Sequence, residues 1–321
     1  MATLPGGLEI TTPAPSVDAF VQSALATATN VTTSTITTGG TGTVVTGAGT
    51  QIAGLATTVG AVVAGQTGLN GATVSDGVVT TQVTMPANVA LVTQGTAAPV
   101  TATEAQNYLQ ALVNAAAPGD QALTNMVNTI ANGVNGQAAV RVAIVDSSAA
   151  NTSGQVVLDV SGSNTNVVQA VVANGNNVVV NGATAVAAVG NGSFQVGGTQ
   201  GVLVVGDGAN QAISGGAGRD TLVGGGGIDS IVGGAGDIVG FNSVGNYTVS
   251  GSSNVVFNFA SVGITSLDQL ASLVTGVQQN GDATTYIFDN GVASITLVGI
   301  NLGQVNFSFN ANEYGYIYYP S

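Results

Sequence analysis

The feature that most constrains the fold is a nine-residue repeat in the second half of the chain. From Gly197 onward, a glycine-rich turn begins every nine residues, at Gly206, Gly215 and Gly224, and a shortened one follows at Gly233. An apolar residue that recurs every nine positions after such a turn is typical of a parallel β-roll, in which each repeat contributes one strand and one turn. The apolar eighth positions of the four complete repeats are Val204, Ile213, Leu222 and Ile231.

Less regular blocks precede these repeats. Asn-Gly pairs at Asn174, Asn181 and Asn191 are each followed by Val-rich residues. We expect the solenoid to extend back to about residue 163, with Asn-Gly turns in place of metal-binding ones.

Two consecutive repeats carry a more specific pattern. Residues 215–223 and 224–232 match G-G-x-G-x-D-x-U-x at every specified position. They resemble the nonapeptide of the RTX (repeats-in-toxin) calcium-binding β-roll proteins. The flanking turns depart from it: Gln211 replaces the ligand Asp in the turn at Gly206, and Asp237 comes one position early because the turn at Gly233 has lost a residue.

The resemblance implies a calcium site at the turns. Glycine permits positive φ and close approach of backbones, while the sixth-position carboxylate and the turn carbonyls are the hard oxygen ligands that Ca²⁺ prefers. Consecutive turns lie on opposite edges of a roll, so we expect Asp229 to share a site with the turn of Asp207 and Asn210, and Asp220 with the turn of Asp237. One to three ions are expected, and a metal-free solenoid is the alternative. The candidate metal-site residues are Asp207, Asn210, Gly215, Gly216, Gly218, Asp220, Gly224, Gly225, Gly227, Asp229, Gly233, Gly234, Gly236 and Asp237.

The last 80 residues predict a helix followed by a hairpin. Ser266 and Gln269 have capping-box spacing before an apolar helical pattern, and residues 283–297 read as two strands around an Asn290-Gly291 turn. This order is similar to the segment that caps RTX rolls in proteins exported by type I secretion. The resemblance implies an uncleaved C-terminal signal, for which residues 314–321 are a candidate; an aromatic edge strand is the other interpretation. The N-terminus shows no basic and apolar signal peptide.

The predicted fold class is therefore mainly β: a C-terminal parallel β-roll with a capping helix and hairpin, preceded by a mixed β domain with short helices. We expect strands at 43–46 and 78–84, and helices starting at Ser16, Thr103 and Asp120. The predicted division is a β-rich assembly domain over 1–150, the solenoid over 151–240, and the cap with the secretion signal region over 241–321.

The missing residue types exclude most chemistry. The chain has 15 Asp+Glu, no His and no Cys, and its two basic residues are Arg141 and Arg219. Without His, Cys or Lys, a Ser-His-Asp triad, a thiol nucleophile, a Schiff base and a His- or Cys-ligated metal are all impossible. Nucleic acid is not an expected partner because phosphate neutralisation requires many basic groups. No apolar run approaches the roughly 20 residues that span a bilayer.

Three functions remain. The first is a secreted calcium-binding structural protein, not an enzyme, that self-assembles into an extracellular surface layer, fibril or biofilm matrix of a bacterium; its Thr/Val/Gly/Asn/Ala composition is similar to that of surface-layer proteins with RTX repeats. The second is a calcium-stabilised adhesin or glycan-binding module, and the last is a carboxylate-based hydrolase or lyase. The expected partners are other copies of the chain, a cell-surface polysaccharide and the type I secretion machinery. The roll would stay unfolded in a calcium-poor cytosol and fold in millimolar Ca²⁺ outside.

Overall fold

The computed structural model describes eight strands within residues 1–100, and then residues 101–107, 110, 119, 121–146, 155–160, 167–252, 254–288, 293–300 and 305–310. The helix predicted from Ser16, the Asn290-Gly291 turn and residues 314–321 lie outside this set. Side chains are described from residue 101 onward.

The described residues are mostly in short strands. The helices are α1 (Gln121–Val134) and α2 (Leu267–Leu273), a 3₁₀ turn spans Ala260–Val262, and a helical segment spans 102–107. The strands in chain order are β1 (Ala2–Thr3), β2 (Glu9–Ile10), β3 (Thr32–Ile36), β4 (Gly42–Ile52), β5 (Leu55–Val62), β6 (Ala72–Ser75), β7 (Thr80–Thr84), β8 (Ala90–Thr96), β9 (Ala139–Asp146), β10 (Val156–Asp159), β11 (Val167–Asn174), β12 (Asn177–Asn181), β13 (Ala185–Val189), β14 (Gly192–Gly197), β15 (Leu203–Gly206), β16 (Gln211–Ser214), β17 (Thr221–Val223), β18 (Gly227–Gly233), β19 (Ile238–Gly240), β20 (Gly245–Gly251), β21 (Val256–Asn258), β22 (Val274–Asn280), β23 (Ala283–Phe288), β24 (Ala293–Val298) and β25 (Asn306–Ser308).

Successive strands in the middle of the chain alternate between two sheets. The odd-numbered strands from β9 to β21 pair in parallel within a twelve-stranded sheet. The even-numbered strands from β10 to β20 pair in parallel within an eleven-stranded sheet. This arrangement is a parallel β-solenoid over residues 156–258, and it confirms the predicted mainly β fold class. The parallel pairing begins earlier than the predicted residue 163, because β10 at Val156–Asp159 already pairs with β12.

The solenoid stacks alternate repeats on one another. One full turn of the roll takes two nonapeptides, so Val204 pairs with Leu222 in one sheet and Ile213 pairs with Ile231 in the other. These four eighth-position side chains are all almost completely buried. The predicted apolar positions therefore form two facing rows of the core, where the burial of each side chain contributes about 1.5–3 kcal/mol.

Antiparallel strands extend both sheets beyond the solenoid. Strands β8, β5, β4 and β3 continue the twelve-stranded sheet past β9, whereas β7 and β6 continue the other past β10. At the C-terminal end, β24 pairs in parallel with β20, and the hairpin of β22 and β23 follows. Both sheets thus run without a break through residues 150 and 240, and the predicted division into domains stays a prediction.

The capping helix begins as the sequence predicts. The Ser266 hydroxyl accepts the Gln269 N–H at 3.2 Å, while the Gln269 side chain reaches back one residue further than a capping box requires, to the N–H of Thr265. The helix ends at Leu273, and Val274 starts β22, a strand that the sequence pattern did not predict.

The predicted helices before the solenoid are present in part. Thr101 and Glu104 cap each other at the start of the 102–107 segment, and α1 follows the predicted start at Asp120. The predicted strands at 43–46 and 78–84 correspond to β4 and β7. No helix in the described part of the chain is long and apolar enough to cross a membrane.

Glycine substitutions test the close stacking of turns. Gly225 has φ of 89°, and a Cβ there would clash with the carbonyl oxygen of Asp207 in the turn below, whereas a Cβ on Gly208 would meet nothing within 4 Å. We expect Gly225→Ala to lower the free energy of unfolding by about 2 kcal/mol or more, and Gly208→Ala to change it much less. Urea unfolding followed by circular dichroism measures both, and equal effects would contradict this stacking.

Candidate functional site

The sixth positions of the repeats form two columns, one along each edge of the solenoid. The Asp220 edge comprises the turns 197–202, 215–220 and 233–237, and the Asp229 edge comprises the turns 206–211, 224–229 and 242–247. The strand register that follows each turn puts Val202, Asp220 and Asp237 in one column and Gln211, Asp229 and Tyr247 in the other.

The pairing register of β17 and β19 places Asp237 in the same column as Asp220. In the sequence Asp237 comes one position early, but Ile238 pairs with Thr221, so Asp237 lies beside Asp220. The shortened turn therefore keeps its carboxylate at the sixth structural position, and the predicted pairing of Asp220 with the turn of Asp237 is present.

On the Asp220 edge, each carboxylate joins two turns. Asp220 accepts the N–H of Val202 in the turn below at 2.9 Å and that of Gly216 in its own turn at 2.6 Å. Asp237 repeats the arrangement with the N–H of Asp220 at 2.9 Å and that of Gly234 at 2.5 Å. These bonds satisfy turn amides that the parallel ladder leaves without partners.

The same two carboxylates converge in front of Gly215. A Cβ on Gly215 would lie 2.8 Å from Asp220 Oδ2 and 2.9 Å from Asp237 Oδ2. Both side chains are at most 1% exposed. The absence of a side chain at this position therefore leaves a small space that two buried oxygens of like charge share.

Burial is the main reason why the pKa of Asp220 lies above its ordinary value. The N–H groups of Val202 and Gly216 oppose this rise, and the nearby charge of Asp237 adds to it. Arg219 is exposed on the same edge, and its Nε donates to the Gly236 carbonyl at 3.3 Å.

The Asp229 edge contains buried oxygens without partners. Asp229 Oδ1 accepts the Gln211 N–H at 2.9 Å, whereas Asp229 Oδ2 and Gln211 Oε1 are buried and accept no hydrogen bond. A Cβ on Gly224 would lie 2.7 Å from Asp229 Oδ2, and one on Gly206 would lie 2.8 Å from Gln211 Oε1 and clash with the Gly224 carbonyl oxygen. Gln211 thus replaces the expected carboxylate with an amide oxygen, and the position remains an oxygen donor.

Asp207 and Asn210 lie in the same turn as Gln211. Asp207 accepts the N–H of Gly190 and of Ala209, both at 2.9 Å, and the side-chain amide of Gln211 also donates to it. Asn210 Oδ1 accepts the N–H of Ile228 in the next turn at 2.9 Å. The predicted pairing of Asp229 with the turn of Asp207 and Asn210 is therefore present, with Asn210 acting as a link between backbones.

Burial raises the pKa of Asp229 to about 7. The Gln211 N–H opposes this rise, and the charge of Asp207 adds to it. A carboxyl group that titrates near neutral pH without a cationic partner is poised to bind either a proton or a metal ion.

Tyr247 ends the Asp229 column and was not foreseen as part of it. Its hydroxyl donates to the Gly225 carbonyl and lies 2.7 Å from the Ser243 carbonyl oxygen. The signal was available in the sequence, since Tyr247 follows Asp229 by 18 residues, the length of one full turn of the solenoid. The Gly225 carbonyl is thereby engaged, whereas the side-chain oxygen Oδ1 of Asn242, at the start of the same turn as Tyr247, is buried and accepts no hydrogen bond.

The predicted glycines are mainly needed for stacking. A Cβ on Gly218 or Gly227 would clash with the turn below, at the carbonyl oxygens of Gln200 and Ala209, and Gly236 has φ of 88°. Within the described residues, no three acidic side chains come together in one cluster. A cation at either edge would therefore have two carboxylates and would take its other ligands from turn carbonyl, amide or water oxygens.

A separate cavity of about 360 Å³ lies between the end of the solenoid and α2. Its walls are mostly apolar, and the rings of Phe241 and Phe259 stack with centroids 4.7 Å apart. Ser243, Tyr247 and Ser294 are its polar side chains.

Comparisons of the chain with protein-family models, with curated proteins and with solved structures found no match.

The raised pKa of Asp229 predicts how stability depends on pH in a chelator. The folded protein binds a proton at Asp229 up to about pH 7, whereas the unfolded chain releases it near pH 4, so this group's contribution is lost as pH rises from about 4 through 7. We expect the urea midpoint in EDTA to fall over that range. Asp229→Asn should flatten the fall, because an amide does not ionise.

The control is Asp268→Asn, which changes an exposed carboxylate in the first turn of α2. The urea midpoint of Asp268→Asn should fall with pH as steeply as that of the wild type. An Asp229→Asn protein with the same pH dependence as the wild type would contradict the assignment.

Proposed function

We propose that the chain is a secreted, calcium-binding structural protein of the RTX β-roll type that self-assembles outside the cell. The observation that carries the proposal is the pair of buried carboxylates, Asp220 and Asp237, whose oxygens converge in front of Gly215. Two buried like charges at one point are costly unless one carboxyl group is protonated or a cation lies between them.

The donor atoms suit Ca²⁺. They are oxygens only, and Ca²⁺ takes six to eight oxygen ligands in flexible geometry. On the Asp220 edge, Asp220 and Asp237 would hold the ion, with turn carbonyls completing the shell. On the Asp229 edge, Asp229 Oδ2, Gln211 Oε1 and Asn242 Oδ1 are buried oxygens that accept no hydrogen bond.

The low carboxylate count favours weak sites. Two carboxylates at an edge correspond to extracellular-type affinities, with Kd on the order of 10⁻⁴–10⁻³ M. Such sites would be empty in a cytosol and filled outside a cell, so that binding free energy becomes folding free energy after export. This logic agrees with export by type I secretion and with a surface-layer, fibril or biofilm-matrix location.

A structural role is supported by the surface as well. Only 5% of the residues are charged, and polar uncharged residues solvate the strands. Within the described residues, both sheets also end in strands that pair with only one neighbouring strand, and such edges are templates for pairing with another chain. A glycan-binding module remains the alternative, and the largely apolar cavity lining does not favour it.

Calcium titration tests the metal site. We expect millimolar CaCl₂ to raise the Tm of the wild-type protein, because a ligand that binds only the folded state stabilises it by mass action. Asp237→Asn should lose most of this rise, whereas Asp268→Asn should retain it. Scanning calorimetry over a CaCl₂ series, with MgCl₂ as the ion control, measures the effect.

Light scattering and negative-stain microscopy in the same series test assembly. Ordered filaments or sheets that form with CaCl₂ and dissolve in EDTA are the expected result. If the wild-type Tm does not change with CaCl₂, the calcium site is wrong and the solenoid is metal-free. If the calcium-bound protein stays monomeric at high concentration, the proposed assembly is wrong.

A further inference from the structure

Both sheets end in strands whose outer sides are unpaired within the described part of the chain. The eleven-stranded sheet ends at β6 and β22, and the twelve-stranded sheet ends at β3 and β25. None of the four strands contains a charged residue or a proline, two of the devices by which natural sheets block pairing at their edges, and β22, with seven residues, is the longest of the four. The irregular register of β22 is confined to its start, between Val274 and Gly276.

The strand directions match at the two ends of the eleven-stranded sheet. Two antiparallel pairings separate β6 from β10, so β6 runs in the direction of the solenoid strands. Two antiparallel pairings likewise separate β22 from β24, which is parallel to β20. A second copy stacked in the same orientation would therefore place its β6 parallel to β22.

The twelve-stranded sheet gives the same result independently. Four antiparallel pairings separate β3 from β9, and β25 is parallel to β21. Its two end strands also share the solenoid direction. In a head-to-tail stack, the end strands of each sheet thus have the directions that parallel pairing requires.

The two ends have steps in opposite directions. At the N-terminal end, the twelve-stranded sheet projects further, with four strands beyond β9 against two beyond β10. At the C-terminal end, the eleven-stranded sheet projects further, with three strands beyond β20 against two beyond β19. The longer sheet of one end therefore faces the shorter sheet of the other. The steps differ by one strand, about 4.8 Å, so both contacts form only if successive copies are inclined towards the eleven-stranded sheet.

We propose that the partner of these edges is a second copy of the same chain, stacked head to tail so that β22 pairs with β6 and β25 pairs with β3. This inference rests on the proposed self-assembly and names its contact surface. Copies with a net charge of −13 repel one another, whereas the four end strands themselves carry no charge. A heterologous contact of this kind produces an open helical filament where its rotation does not close into a ring.

The arrangement predicts the filament's repeat. Eleven or twelve strands at about 4.8 Å each give an axial rise of about 55 Å per subunit. The strand spacing should also appear along the filament axis in fibre diffraction. A 4.8 Å spacing perpendicular to the axis would exclude the head-to-tail arrangement.

A charge on β22 provides the mutational test. Val277 is 58% exposed on this strand, and Gln195 is exposed on β14 in the interior of the same sheet. With CaCl₂, we expect Val277→Lys to reduce pelletable filament at least tenfold and Gln195→Lys to leave it near the wild-type amount. Circular dichroism and the calcium-dependent Tm verify that both variants fold.

Cross-linking gives a second readout that does not depend on the lysine variant folding. Because the chain has no Cys, Gln279→Cys on β22 and Thr73→Cys on β6 can be made as separate proteins, mixed and treated with a short bismaleimide. A heterodimer should form with CaCl₂, and Gln195→Cys mixed with Thr73→Cys should give none.

The outcomes separate the two proposals. If the wild type assembles with CaCl₂ but both lysine variants assemble equally and no β22–β6 cross-link forms, the edge contact is wrong while the proposed function stands. If the wild type does not assemble at all, the proposed function fails and the contact with it.

Discussion

Three turns of the solenoid have an amide N–H that points along the axis, and a sixth-position carboxylate of the next turn accepts each of them. Asp220 accepts from Val202, Asp237 from Asp220, and Asp229 from Gln211, each at 2.9 Å. These bonds fix the register at which alternate repeats stack, and the buried apolar rows follow from that register. The interaction that aligns the core therefore also brings buried negative charges together, with no Lys in the chain to balance them.

That coupling explains why glycine is concentrated where the carboxylates are. A side chain on Gly215 would occupy the space that the oxygens of Asp220 and Asp237 share. Ordering the glycine-rich turns costs conformational entropy, and burying the acidic side chains costs electrostatic free energy. Since folded domains are stable by only about 5–15 kcal/mol, an ion that relieves the second cost can decide whether the roll folds.

Much of this could be predicted from the repeats. The nine-residue period predicted the solenoid, its apolar rows and the pairing of Asp229 with the turn of Asp207, because a repeated local pattern fixes which positions stack. The helix at Leu267–Leu273 was predicted because its cap and apolar spacing are local. Strand β22 was missed because its Val, Thr and Gln residues carry no pattern of their own; it is defined by pairing with β23.

The sequence by itself determined the period, the residue types at each stacked position and the chemistry that the chain cannot perform. Only the tertiary structure decided which side-chain oxygens of the turns accept hydrogen bonds and which lie close to one another. Asp237 returns to its column despite a deleted residue, and Gln211 offers an unpartnered oxygen where a carboxylate was expected. Spacing cannot give these results, because they depend on the path of each turn and on side-chain directions across turns that lie about 18 residues apart in sequence but adjacent in space.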